Sequence, residues 1–124
     1  MDVFVSALGE VFTARIMGLM TVGTLAGIIA AAIPGFTITM AVVLTLPFTF
    51  GMTPIEGLST MMAVYVGGYS GGLVSGILLG IPGTPSSVCT VFDGFPMTKK
   101  GQPGRALSLG VWASFFGGLI GAAL

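Results

Sequence analysis

The chain has 124 residues and no formal net charge; 54% of its residues are hydrophobic and only 6% are charged. Soluble domains carry roughly 25% charged residues, so a chain with a mean hydropathy of +1.07 has too few charges to solvate a globular surface, and lipid is its expected solvent. The absence of a basic stripe excludes nucleic acid as a partner, the absence of His removes imidazole acid–base chemistry and the commonest zinc ligand, and the lone Cys89 permits no intrachain disulfide.

Residues 1–14 place Val3, Phe4, Ala7, Leu8, Val11 and Phe12 at helical spacing, with Asp2, Ser6 and Glu10 elsewhere. This pattern reads either as a short amphipathic helix lying at the membrane interface or as a poorly ordered terminus. Ile16–Ile33 carries no charge and is about 27 Å long as a helix, close to the thickness of a hydrocarbon core. It is not a signal peptide: two acids and one Arg precede it, and further apolar runs follow.

Pro34-Gly35 interrupts this run, and a second apolar run, Phe36–Phe50, contains Pro47. Residues 16–50 therefore form a broken hydrophobic hairpin, which either crosses twice or re-enters. Thr53-Pro54-Ile55-Glu56 has the form of a capping box with Pro at the first helical position, which gives Glu56 a structural role. From there a long helix is predicted to Ile81, with Gly68, Gly72, Gly76 and Gly80 recurring every fourth residue and Gly67 and Gly71 beside them. Such a ridge lets another helix backbone approach closely.

Pro82-Gly83-Thr84-Pro85-Ser86-Ser87 breaks the chain again, and Thr84 is placed to cap a short half-helix, roughly Pro85–Phe92. Asp93-Gly94 reads as a turn that opens a polar loop over residues 93–105. That loop holds Lys99, Lys100 and Arg105, three of the four basic residues, and is expected on the cytoplasmic side. Residues 106–124 begin a further span, and a chain stopping in apolar sequence reads as a fragment of a longer one. The expected fold class is an all-α, polytopic membrane bundle with helices interrupted at Pro-Gly motifs.

The chemistry lies in a repeat. Ile33-Pro34-Gly35-Phe36-Thr37-Ile38-Thr39 and Ile81-Pro82-Gly83-Thr84-Pro85-Ser86-Ser87 share one design, a helix ended at Ile-Pro-Gly and a hydroxyl-rich stretch opening the next. Broken helices in lipid leave backbone groups that only protein, water or a ligand can satisfy. Half-helix N-termini suit a carboxylate, and half-helix C-termini suit a small cation. Gly35, Thr37, Thr39, Gly83, Thr84, Pro85, Ser86 and Ser87 are thus candidate substrate-binding residues, with Pro34, Thr90 and Asp93 as weaker candidates for a coupling Na⁺ or H⁺. The competing reading makes both Pro-Gly pairs ordinary turns at the membrane surface.

Other signals are weaker. Gly68-Tyr69-Ser70-Gly71-Gly72 matches the G-x-S-x-G pattern of hydrolases, but without a His it has no base. Tyr65 and Tyr69 read as pathway-lining, interfacial or packing residues, and Asp93 as a turn residue. No catalytic residue, cofactor or resident metal is expected.

The segments AAIPGFTITMAVVLTLPFTFGMTP, YVGGYSGG, ILLGIPGTPSSVCTVFDGFPMTKKGQPGRALSLG and ASFFGGLIG, in this order from Gly18 to Gly121, resemble the large integral-membrane (TctA-type) subunit of tripartite tricarboxylate transporters, in its N-terminal part. The resemblance implies a multi-pass protein of the bacterial inner membrane that takes up carboxylates on an ion gradient. It implies a small transmembrane subunit and a periplasmic solute-binding protein as partners, with both Pro-Gly segments in the transport machinery. The competing expectation, from another class, is a non-transporting membrane scaffold whose Gly faces serve only assembly.

Overall fold

The structure, a computed structural model, describes residues 1–124. Six α-helices follow one another: α1 (Asp2–Val11), α2 (Ala14–Ala32), α3 (Ile38–Thr49), α4 (Pro54–Leu79), α5 (Val88–Lys99) and α6 (Pro103–Ala123), with a 3₁₀ turn at Pro85–Ser87 leading into α5. The protein is an all-α membrane protein. α2, α4 and α6 are long and apolar enough to cross a bilayer.

Local chemistry explains where these helices start and stop. α3 opens on Thr37, whose hydroxyl accepts the Met40 N–H at 3.3 Å. α4 opens on the reciprocal cap: the Thr53 hydroxyl accepts from Glu56 N–H at 3.4 Å, and the Glu56 carboxylate accepts from Thr53 N–H at 3.2 Å. α4 closes at Gly80, where a φ of 70° favours glycine. Thr21 and Thr24 donate to the carbonyls of Met17 and Met20, both at 2.8 Å, so α2 leaves neither hydroxyl unpaired in lipid.

α2 and α4 lie side by side and run parallel, because facing positions rise together: Gly23 faces Thr60 and Ala63, Gly27 faces Val64, and Ile28 faces Gly71. The Arg15–Glu56 ion pair, 2.9 Å, ties their first turns. α3 runs the other way, from Ile38 against Gly68 to Thr49 against Gly57. With 12 residues it is about 18 Å long, too short to cross a bilayer. Residues 16–50 form a hairpin: the chain turns at Pro34-Gly35, and α3 returns toward the end where α4 begins.

After Gly80 the chain doubles back to seat Thr84 against Gly72, and α5 then climbs along α4, with Val91 beside Gly76 and Phe95 beside Gly80. This second interrupted segment approaches from the opposite end of α4. α6 follows α5, and Gly110 meets Leu73 and Ile77 as it runs back along α4.

Two expectations change here. Residues 93–99 are helical rather than the start of a loop, and the connection shrinks to residues 100–102, with α6 starting at Pro103. Tertiary packing overrides the Asp93-Gly94 turn signal. Gly94 lies so close to Ile77 that an added methyl would sit 2.7 Å from its Cγ1, and the Thr98 hydroxyl donates to the Ile77 carbonyl at 2.8 Å. The long helix ends at Leu79 rather than Ile81 because Gly80 takes the left-handed conformation. Residues 2–11 are helical, with no buried side chain.

The packing is that of a lipid-solvated protein. Large apolar side chains such as Val22, Ile29, Phe48, Trp112 and Phe116 point outward. The contact between α2 and α4 is built instead from Gly23, Gly27, Ala31, Ala63, Gly67 and Gly71. Small residues bring backbones together where no hydrophobic effect drives helix association.

Candidate binding site between the two interruptions

Both interruptions meet α4 just past its middle. Ile38 packs on Gly68 and Thr84 on Gly72, one turn apart, or about 21 and 27 Å along the helix from Pro54. α3 leads away from this level in one direction and the Pro85–Ser87 turn with α5 in the other. Two half-helix starts thus converge from opposite sides. The first N–H groups of α3 have no intrahelical partner, and both starts present a positive dipole end.

A cavity of about 390 Å³ lies between them. Thr37, Ile38 and Thr39 line it from the first interruption, Thr84, Pro85 and Ser86 from the second, and Tyr65 and Tyr69 from α4. No charged side chain lines it. Its polar groups are neutral hydroxyls, which donate to an anion without burying a charge in the membrane.

The second interruption is rigidly set. Gly83 is wedged between α2 and α4: a methyl there would lie 2.6 Å from both the Ala31 carbonyl and Ser75 Oγ, and 3.0 Å from Gly72 Cα. Buried Ser75 donates to the Gly72 carbonyl at 3.0 Å. The Ser87 hydroxyl donates to the Thr84 carbonyl at 2.8 Å and accepts from the Thr84 N–H at 3.2 Å. These bonds hold the turn that carries Ser86, whose hydroxyl lies 3.1 Å from Thr84 Oγ1.

The predicted residues therefore separate into groups. Thr37, Thr39, Thr84, Pro85 and Ser86 line the cavity. Gly83 and Ser87 are buried supports of it. Pro34 and Gly35 stand outside it, in an exposed turn where Gly35 has a φ of 88°. Ser87 and Thr90 line a second cavity of about 740 Å³, bounded by α2, α4, α5 and α6. Asp93 is exposed on α5 and lines neither cavity. Gly68, Gly72, Gly76 and Gly80 all face the interrupted segments, meeting the side chains of Ile38, Thr84, Val91 and Phe95.

Sequence reasoning left Tyr65 and Tyr69 without a decided role, yet both line both cavities. Their spacing of four was a visible signal that they share one helix face. That this face looks onto both hydroxyl-rich segments depends on how α4 is rotated.

Comparison with known proteins agrees with the fold. The family model for the tripartite tricarboxylate transporter TctA family matches residues 17–124. A protein of Agrobacterium vitis, described as an uncharacterized 52.8 kDa protein in the TAR-I ttuC' 3' region, is 36% identical over 103 residues, or 83% of this chain and 20% of that protein. The chain thus spans about a fifth of the length of that relative. No solved structure matches the chain. With the family model matching nearly the whole sequence, the chain belongs to the tripartite tricarboxylate transporter TctA family.

Proposed function

We propose that the chain forms part of the pathway for secondary active uptake of tricarboxylates, or related carboxylates, across the bacterial inner membrane. The observation that carries this reading is the single cavity lined by hydroxyls from both interrupted segments. Paired interruptions are the usual build of a transporter's midplane site, with half-helix starts directed at an anionic substrate. The carboxylate sits among Thr37, Thr39, Thr84 and Ser86, and a Na⁺ or H⁺ gradient drives uptake. As a multi-pass subunit it works with a small transmembrane subunit and a periplasmic solute-binding protein, and residues 99–105, with three basic side chains, face the cytoplasm. Alternating access then moves the interrupted segments relative to α4.

The test is citrate uptake into proteoliposomes by the complete subunit with its partners. Ser86→Ala removes a cavity hydroxyl without touching the Ser87 bonds that shape the turn, so KM rises about twofold or threefold while protein level and thermal stability hold. Ser87→Ala, in contrast, lowers stability by about 1–3 kcal/mol, because it leaves the buried Thr84 N–H unpaired. Normal uptake by Ser86→Ala combined with Thr37→Val would overturn the reading and favour a scaffold.

A further inference from the structure

We propose that Tyr65 and Tyr69 act as a unit that donates one hydrogen bond to the substrate carboxylate, opposite a matching unit formed by Thr84 and Ser86. The proposal rests on the carboxylate site above and names its second wall. Tyr65 and Tyr69 are one turn apart on α4, with ring centroids 5.0 Å apart in an edge-to-face arrangement and hydroxyls 3.1 Å apart. Both side chains are partly open, and both border the 390 Å³ and the 740 Å³ cavities. Ser86 is the residue from the interrupted segments that also borders both.

Proton bookkeeping gives the pair its function. Each tyrosine carries one O–H donor. In the Tyr65–Tyr69 bond either hydroxyl can donate, and whichever does, the other keeps its proton free. The free O–H is strengthened by the bond it accepts. The Thr84–Ser86 pair obeys the same arithmetic: the two hydroxyls lie 3.1 Å apart, either can donate, and one proton remains. The two pairs thus meet a ligand with two spare donors, one from α4 and one from the second interruption, beside the hydroxyls of Thr37 and Thr39. A carboxylate has two oxygens that accept in its plane, so it takes one donor on each, and the site remains neutral when empty. Within each pair the hydroxyls substitute for one another, so removal of one is partly covered by the other.

This interchange makes the test specific. Citrate, used as a tricarboxylate probe, is titrated against the complete subunit with its partners for wild type, Tyr65→Phe, Tyr69→Phe, the double Phe variant and Ser86→Ala. Phe keeps the ring packing, so a structural role alone leaves affinity unchanged. The expected result is a loss of about twofold or threefold for each single variant and tenfold or more for the double, expressed in KM rather than kcat. Weakening by Ser86→Ala with unchanged affinity in the double Phe variant overturns the tyrosine unit and leaves the carboxylate site standing. Unchanged affinity in both overturns the site as well. Weakening in the double Phe variant with none in Ser86→Ala overturns the opposed pairs. If the double variant fails to assemble, the single variants decide: wild-type affinity in both, with Ser86→Ala weakened, rejects the proposal.

Discussion

α4 presents two glycine faces that differ in what they meet. On one, Gly67 and Gly71 lie against backbone: a methyl at either would overlap the carbonyl of Thr24 or Ile28 in α2, and Gly27 in turn approaches the Val64 carbonyl. On the other, Gly68, Gly72, Gly76 and Gly80 meet the side chains of the interrupted segments. Carbonyls in a helix cannot move without moving the helix, whereas a side chain can rotate or give by a few tenths of an ångström. The first face therefore joins α2 and α4 into one rigid unit. The second supports, through side-chain contacts, the segments that carry the cavity hydroxyls.

This contrast is open to direct attack. The largest effect is expected at the backbone face. Gly67→Ala and Gly71→Ala force α2 away from α4 and lower stability by about 3 kcal/mol, the upper end for overpacking, as measured by thermal unfolding in detergent. Wild-type stability in both would show that the face is not rigid. Next comes Gly72→Ala, where the new methyl meets Thr84 at 2.7 Å from Cγ2 and 2.9 Å from Oγ1. Displacing Thr84 weakens citrate affinity roughly tenfold. The control is Gly76→Ala, 3.3 Å from Val91 Cγ2, which costs less than about 1 kcal/mol and leaves affinity intact. Equal effects at positions 72 and 76 would erase the distinction between supporting the site and supporting the helix.

The smallest effects belong to the first turns of α2 and α4. Glu56→Ala removes the carboxylate half of the capping box together with the Arg15 ion pair, leaves the Thr53 hydroxyl bond in place, and costs about 1 kcal/mol. Arg15→Gln removes only its ion pair with Glu56; the Arg15 side chain is 74% exposed, so the loss is below about 1 kcal/mol. The same unfolding measurement ranks the two, and a loss for Arg15→Gln as large as that for Glu56→Ala would assign the whole effect to the ion pair between the helices.

Much of the architecture was readable before any coordinates. Thr53, Pro54 and Glu56 marked the start of α4 because a cap is made by residues three apart in the chain. The hydroxyls at Thr37, Thr39, Thr84 and Ser86 were readable because each follows an Ile-Pro-Gly break. Asp93-Gly94 misled for the opposite reason: its turn preference is local and weak, and the contact of Gly94 with Ile77, with the Thr98 bond to the same residue, outweighs it. Pro34, Gly35 and Asp93 have suitable chemistry, but neither cavity reaches them.

Composition and short-range pattern determined the solvent, the helical class, the capped starts and the two breaks, since each depends on residues within a turn or two of one another. Only the tertiary structure decided that α2 and α4 run parallel, that the glycine ridge faces the broken segments rather than α2, and that Tyr65 and Tyr69 stand beside Thr37, Thr84 and Ser86. Those outcomes turn on the rotation of α4 about its axis and on the depth at which each break meets it. Close contacts between residues far apart in the chain set both.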